Sequence, residues 1–222
     1  MTNSATNSAT NPATNPARFI RDNLKVAAVP LVPEIRLYTA HCRSGLSQLT
    51  GDAAPYWAYP WAGGLALARY VLDHPECVRG LRVLDLGAGS GVAGIAAARA
   101  GAASVICAEI DPYGIAAIGL NAALNGVAVK CCGDDLTRGG APEVAVVLAG
   151  DVFYAAAVAR KVTRFLHRCA MSGAAVLVGD PGRAHLPQAR LHLVAEYPLR
   201  DFGDAPAALP GSGKVFAYRP GA

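Results

Sequence analysis

A run of branched apolar residues leads straight into alternating glycines at Val83-Leu84-Asp85-Leu86-Gly87-Ala88-Gly89-Ser90-Gly91. Without side chains at Gly87, Gly89 and Gly91, a backbone turns sharply there and lets a ligand lie against it. Carboxylates recur at related places. Asp85 stands two residues before the first glycine, Glu109 closes the apolar run 104–109, and Asp134 and Asp135 follow the run 127–132. A carboxylate at the place of Glu109 accepts both hydroxyls of a ribose. One at Asp134 or Asp135 accepts the N6 amino group of adenine, with Asp134 favoured. An Asp pair after a strand also serves as a turn or a helix cap.

These residues need a frame that brings them to one edge, and the spacing of apolar runs supplies it. Strands are expected over 81–86, 104–109, 127–132, 144–149 and 174–179, with helices over 92–100, 112–125 and 155–171 between them. Gly101 and Gly126 fall where helices close. The runs 191–197 and 214–218 read as a closing antiparallel pair. Such alternation predicts one Rossmann-like α/β domain, a doubly wound and mostly parallel sheet of seven strands. Ahead of it, 34–49 has patchy helical spacing and reads as an accessory helix, and a helix over 65–73 stops at Pro75. The opening repeat, TNSA, TNSA, TNPA, TNPA, holds no hydrophobe larger than Ala and is expected to be a disordered tail over 1–17. The domain then spans 18–222, with an N-terminal accessory segment over 18–64.

The glycine loop admits two cofactor readings. Gly89-Ser90-Gly91-Val92-Ala93-Gly94 matches the dinucleotide pattern G-x-G-x-x-G literally. In a dinucleotide fold the first glycine follows the strand at once, and here Gly87 holds that place. The sixth position in that register is Val92, not glycine. Asp85-x-Gly87-x-Gly89-x-Gly91 is similar instead to the loop of class I methyltransferases, which implies S-adenosylmethionine as the cofactor. It also implies Asp85 near the methionine end, acting through loop amides or water. A purely structural strand-helix turn is the plainer alternative.

Four segments carry a closer resemblance: PYWAYPWAGG at 55–64, VLDLGAGSG at 83–91, GDVFY at 150–154 and GDPGR at 179–183. Over roughly 18–220 the chain resembles the seven-strand protein-lysine methyltransferases, and most of all those acting on the β-subunit of electron transfer flavoprotein. The resemblance implies that Asp151 and Tyr154 form the catalytic pair. Asp151 orients the amine and stabilises the positive charge that develops on nitrogen, and Tyr154 offers a π-face. Whether Asp151 or water takes the amine's proton is open. Trp61 lies over the methionine end of the cofactor by the same resemblance, although tryptophans in such a stretch are also core anchors. Gly63 and Gly64 allow a close backbone approach. Arg183 either holds an acidic group of the substrate or fixes its own turn. The implied partner is an acidic protein, the electron transfer flavoprotein β-subunit. A ribosomal protein or a small molecule is the alternative acceptor, and a catalytically silent cofactor-binding module is a third reading against which Asp151 and Tyr154 stand.

Composition narrows the remaining classes. Hydrophobic residues make up 53% of the 222 and charged ones 16%, as suits a sheet covered on both faces. A net charge of +4 with scattered Lys and Arg announces no nucleic-acid groove. The base-methylating motif Asn/Asp-Pro-Pro-Tyr/Phe is missing. The five histidines show no metal-ligand spacing, and no nucleophile elbow occurs. The six cysteines form no C-x-x-C pair, and Cys131-Cys132 is either a redox pair or two core thiols. With no secretory leader and no apolar run of spanning length, a cytoplasmic monomer is expected.

Overall fold

The computed structural model describes residues 15–49, 54–199 and 211–221. The repeat up to residue 14, expected as a tail, lies outside the described residues. The first helix, α1 (Pro16–Asn23), takes in Pro16 and Ala17, slightly ahead of the expected start of the domain. Proline suits a first helical position, and the Asn15 side chain accepts from the Arg18 amide at 3.0 Å.

The accessory segment is not the helix expected over 34–49. Residues Lys25–Val29 (β1) and Val32–Thr39 (β2) form an antiparallel hairpin instead, followed by a short 3-10 turn at Leu46–Gln48. Ile35 and Leu37 are fully buried on one face while Glu34 and Arg36 are exposed, a period of two that outweighs the weaker helical spacing. Leu31, at φ 66°, makes the tight turn between the strands.

The main sheet is seven-stranded and runs β5-β4-β3-β6-β7-β9-β8. Its members are β3 (Arg82–Leu86), β4 (Ser104–Ala108), β5 (Lys130–Cys132), β6 (Val146–Gly150), β7 (Ala175–Asp180), β8 (Leu191–Pro198) and β9 (Ser212–Tyr218). The first five are parallel; β9 lies antiparallel to β7, and β8 to β9. Helices α2 (Ala62–Asp73), α3 (Val92–Arg99), α4 (Pro112–Leu124) and α5 (Ala156–Met171) complete the domain. The expected doubly wound sheet is present. Along β3, Val83 packs into one core with α2 and α3, while Leu84 and Leu86 pack into the other with Phe165 of α5. Burial on both faces explains why this strand reads as continuously apolar. The strand expected over 127–132 shrinks to β5, because Val127 is spent closing α4 through its amide to Ala122 O. Cys131 packs towards one core and Cys132 towards the other, and all six cysteines are free. The arrangement is that of core thiols, since neighbours on a strand face opposite ways.

Helix α2 starts at Ala62, earlier than Leu65, despite two glycines in its first turn. Contact explains them. A Cβ on Gly63 would lie 2.2 Å from Gly179 O, and one on Gly150 would lie 2.9 Å from Gly64 Cα. Only glycine lets the start of α2 rest directly on the ends of β6 and β7. No helix among the described residues is long and apolar enough to cross a membrane.

Candidate active site

Strand order reverses beside β3, with β4 on one flank and β6 on the other, so a crevice opens at the carboxyl ends of these strands. A cleft of about 420 Å³ occupies that position. Gly87, Gly89, Glu109, Asp134, Asp135, Asp151, Tyr154, Trp61 and Arg183 all line it. Asp85 and Gly91 do not.

The donor half is built on the glycine loop. Gly87 and Gly89 sit at φ 66° and 53°, and the amides of Gly87 and Ala88 both donate to Ala108 O at 3.0 Å. Loop and β4 are thereby locked together. Glu109, just past β4, accepts from the Gly89 amide at 2.9 Å through Oε2 and from the Asp111 amide at 2.9 Å through Oε1. A carboxylate has about four lone-pair sites, so two remain for a pair of ribose hydroxyls. Ile110 follows it, lines the cleft and is 68% exposed, a high value for a large hydrophobe and a ready wall for a base. Reading the sequence missed Ile110. Its only signal was a large apolar residue directly after the carboxylate that ends a strand.

The two aspartates after β5 separate cleanly. Asp135 caps its own turn, accepting from the Thr137 hydroxyl, from the Thr137 amide at 3.2 Å and from Arg138 Nε at 2.9 Å. The Thr137 hydroxyl, with help from Arg138, holds its carboxyl below the ordinary range. Asp134 is exposed and meets only a weak thiol donor from Cys132 at 3.9 Å. Of the pair, Asp134 is the one with capacity for a ligand.

Asp85 works beneath the loop. It is buried, and its Oδ2 accepts from the Gly94 amide at 2.8 Å in the first turn of α3. Gly91 is the N-cap of that helix, packed so that a Cβ would sit 3.2 Å from Ile118. Both residues support the loop rather than lining the cleft. Burial pushes the Asp85 carboxyl up to about 7; the Gly94 amide pulls it down and Glu109 pushes it further up. The folded protein therefore holds a proton that the unfolded chain releases near 3.8. The contribution of Asp85 to stability falls as pH rises from about 4 to about 7 and is flat above that. Asp85→Asn, which keeps an acceptor for Gly94, is expected to remove about 2 kcal/mol of the pH dependence between pH 5 and 7.5. Urea unfolding of both proteins at the two pH values checks this; parallel pH profiles would refute it.

The opposite half of the cleft centres on Asp151, which stands at φ 56° directly after β6. A left-handed non-glycine residue at a cleft is strained and signals function. Its amide donates to Gly179 O at 2.9 Å; its Oδ2 accepts from the Gly64 amide at 2.8 Å, and its Oδ1 from Arg183 Nη2 at 2.7 Å. Gly64 lies in the first turn of α2, where helix amides carry partial positive charge. Neither expected role describes Arg183 fully. Its turn is fixed by the Asp180 side chain, which accepts from the amides of Gly182 and Arg183 at 2.7 and 2.6 Å, while the guanidinium reaches Asp151 and lies 5.8 Å from the Trp61 ring.

Tyr56, Trp61 and Tyr154 form an aromatic lip: the Tyr56 ring is 5.8 Å from Trp61 and 5.4 Å from Tyr154, and Trp61 Nε1 donates to Tyr56 O at 2.8 Å. Burial, reinforced by Tyr56 and Glu109, pushes the half-exposed Tyr154 phenol above its ordinary value, so it stays neutral. The two tryptophans divide the readings between them. Trp57 is 2% exposed and stacks on Tyr113 at 5.7 Å, a core anchor that also reaches the cleft, whereas Trp61 stands at its rim.

A glycine loop at the switch point of this seven-stranded sheet, with a ribose-type carboxylate on one side and a held Asp with aromatics on the other, defines a class I S-adenosylmethionine-dependent methyltransferase. The profile of the ribosomal protein L11 methyltransferase (PrmA) family matches residues 67–173. The electron transfer flavoprotein beta subunit lysine methyltransferase of Danio rerio is 39% identical over 194 residues, covering 82% of this chain and 75% of its own. The protein of the same name from Xenopus laevis is 40% identical over 193 residues, covering 82% and 78%. A solved structure from Pyrococcus horikoshii, described as a candidate RNA methyltransferase, shares the fold with a TM-score of 0.55 at 16% identity, over 79% of this chain and 93% of that one. The chain belongs to the electron transfer flavoprotein beta subunit lysine methyltransferase family and is a protein-lysine methyltransferase.

Proposed function

We propose that this chain methylates a lysine of the electron transfer flavoprotein β-subunit, with the donor against Gly87, Gly89, Glu109, Ile110 and Asp134 and the acceptor amine at Asp151 and Tyr154. The observation that carries the partner is the identity of about two residues in five with relatives bearing that activity in their names, over 82% of the chain. S-adenosylmethionine supplies an electrophilic methyl group on a sulfonium. Everything else falls to the chain's own residues. Lysine is an ammonium near neutral pH, with a pKa of about 10.4, and must lose a proton before it attacks. Asp151, held by the Gly64 amide and Arg183, orients the amine and stabilises the charge growing on nitrogen on this reading, and the proton leaves to water. Tyr154 and Trp61 wall the amine's path with π-faces, which favour a cation. The chain works as a monomer in the cytoplasm on this reading.

Incubating electron transfer flavoprotein from the same organism with this protein and methyl-labelled S-adenosylmethionine tests the partner. Label on a β-subunit lysine is the expected result. Label on ribosomal protein L11 but not on the β-subunit would keep the chemistry and overturn the partner. The donor half makes its own prediction. Glu109→Gln replaces an acceptor-only carboxylate with an amide and is expected to weaken S-adenosylmethionine binding by about tenfold or more by calorimetry. An unchanged affinity would remove Glu109 from the ribose site.

A further inference from the structure

We propose that Arg183 is a resident stand-in for the substrate's lysine: its guanidinium fills the acceptor-amine position at Asp151, and the target side chain enters by displacing it. The proposal rests on the reading of Asp151 as the acceptor site and deepens it.

A site for an alkylammonium needs a carboxylate and an aromatic face within reach of one cation. Arg183 already uses both. Its Nη2 lies 2.7 Å from Asp151 Oδ1, and its guanidinium carbon lies 5.8 Å from the Trp61 ring centroid. The other Asp151 oxygen is engaged by the Gly64 amide, so an arriving ammonium that seeks Oδ1 meets Arg183. Burial makes such a placeholder useful. The Asp151 side chain is only 11% exposed, and a nearly buried carboxylate left without a cation is costly. Arginine is also the suitable cation to leave there, because its pKa above about 12 keeps it charged and without a nucleophilic lone pair beside a methyl donor.

The anchoring of the loop allows the exchange. Asp180 holds the backbone of Gly182 and Arg183 from within the fold, while the Arg183 side chain is 25% exposed, more than twice its partner. The guanidinium can therefore swing towards solvent while its turn stays in place. Small free amines, which bring no further binding energy, are kept out, whereas a lysine presented on a docked protein surface offsets the lost ion pair through its other contacts.

The test uses the protein without donor and n-butylammonium chloride as the probe, read by tryptophan fluorescence and calorimetry. Removal of the resident cation in Arg183→Gln is expected to tighten n-butylammonium binding by about tenfold. Equal or weaker binding than wild type overturns the proposal. Should Arg183→Gln fail to fold, the decision passes to Arg183→Lys, given S-adenosylmethionine and no protein acceptor. An amine placed where the guanidinium stood becomes the acceptor: its nitrogen lone pair forms the N–C bond, the C–S bond breaks with its electrons on sulfur, S-adenosylhomocysteine leaves, and the amine's proton goes to water. Peptide mapping is expected to find methyl at position 183. An unmodified position 183 in a variant that binds the donor overturns the proposal. Neither arm involves the flavoprotein, so failure of the β-subunit as substrate remains separate from failure of this gate.

Discussion

Asp151→Asn is expected to slow methyl transfer to the protein acceptor by about 10²–10³-fold, the usual scale for removing one preorganised electrostatic group. The substitution is chosen for what it spares. Asparagine tolerates the left-handed backbone that Asp151 adopts at φ 56°, and its oxygen still accepts from the Gly64 amide at the start of α2. Volume and turn survive, while the negative charge goes and with it the acceptor for Arg183 Nη2. The donor contacts proposed above lie across the cleft at Glu109 and the glycine loop, so S-adenosylmethionine affinity should stay within about threefold of wild type, under about 0.7 kcal/mol. Single-turnover rates beside calorimetry separate the two effects. A variant with normal turnover would mean that nitrogen's charge is stabilised elsewhere; one that loses donor affinity instead would place Asp151 in the wrong half of the cleft.

Gly63→Ala should be among the most damaging single methyls in the described part of the molecule. Its Cβ would lie 2.2 Å from Gly179 O and 2.7 Å from Asp151 Oδ2, and the first of these is backbone in the middle of the sheet. The carbonyl cannot swing aside, and the Asp151 carboxylate is held by the Gly64 amide and Arg183. Helix α2 must lift from β7, which draws the Gly64 amide off Asp151 and opens the core along Leu67. The expected cost is about 3 kcal/mol or more, beyond ordinary overpacking. Gly119 supplies the control. It lies exposed in α4, and a methyl added there would meet nothing within 4 Å, so Gly119→Ala should gain up to about 1 kcal/mol from helix propensity alone. Thermal melts of the two variants should move in opposite directions. Equal small shifts would mean that the α2–β7 contact is not tight in solution.

Much of the fold was legible because parallel strands buried on both faces and glycine-closed helices leave local marks. The five runs from 81 to 179 and the closing pair each became a strand of the main sheet. The segment 34–49 misled because the helical spacing of its apolar residues is only patchy, and the alternation of Ile35 and Leu37 is too short to stand out before the hairpin partner at Lys25–Val29 is known. Glu109, singled out by type and position at a strand end, and Asp151, singled out by resemblance, both line the cleft. What sequence could not show were pairings between distant segments. Arg183 reaches Asp151 across 32 positions and the Gly64 amide reaches it across 87. The same holds for Asp85: its burial under the loop and its bond to the Gly94 amide depend on packing from both sides. Asp134 was favoured over Asp135 on sequence, and the turn that engages Asp135 is consistent with that preference.

The central claim is that donor and acceptor meet in this one cleft, with the methyl directed at Asp151. A crystal structure with S-adenosylhomocysteine tests it most directly. The account predicts ribose hydroxyls within about 3 Å of the Glu109 carboxylate, adenine against Ile110 with its amino group towards Asp134, and sulfur facing Asp151. A ligand seated in the cleft with its sulfur turned away from Asp151, or its ribose held by other residues, would contradict it.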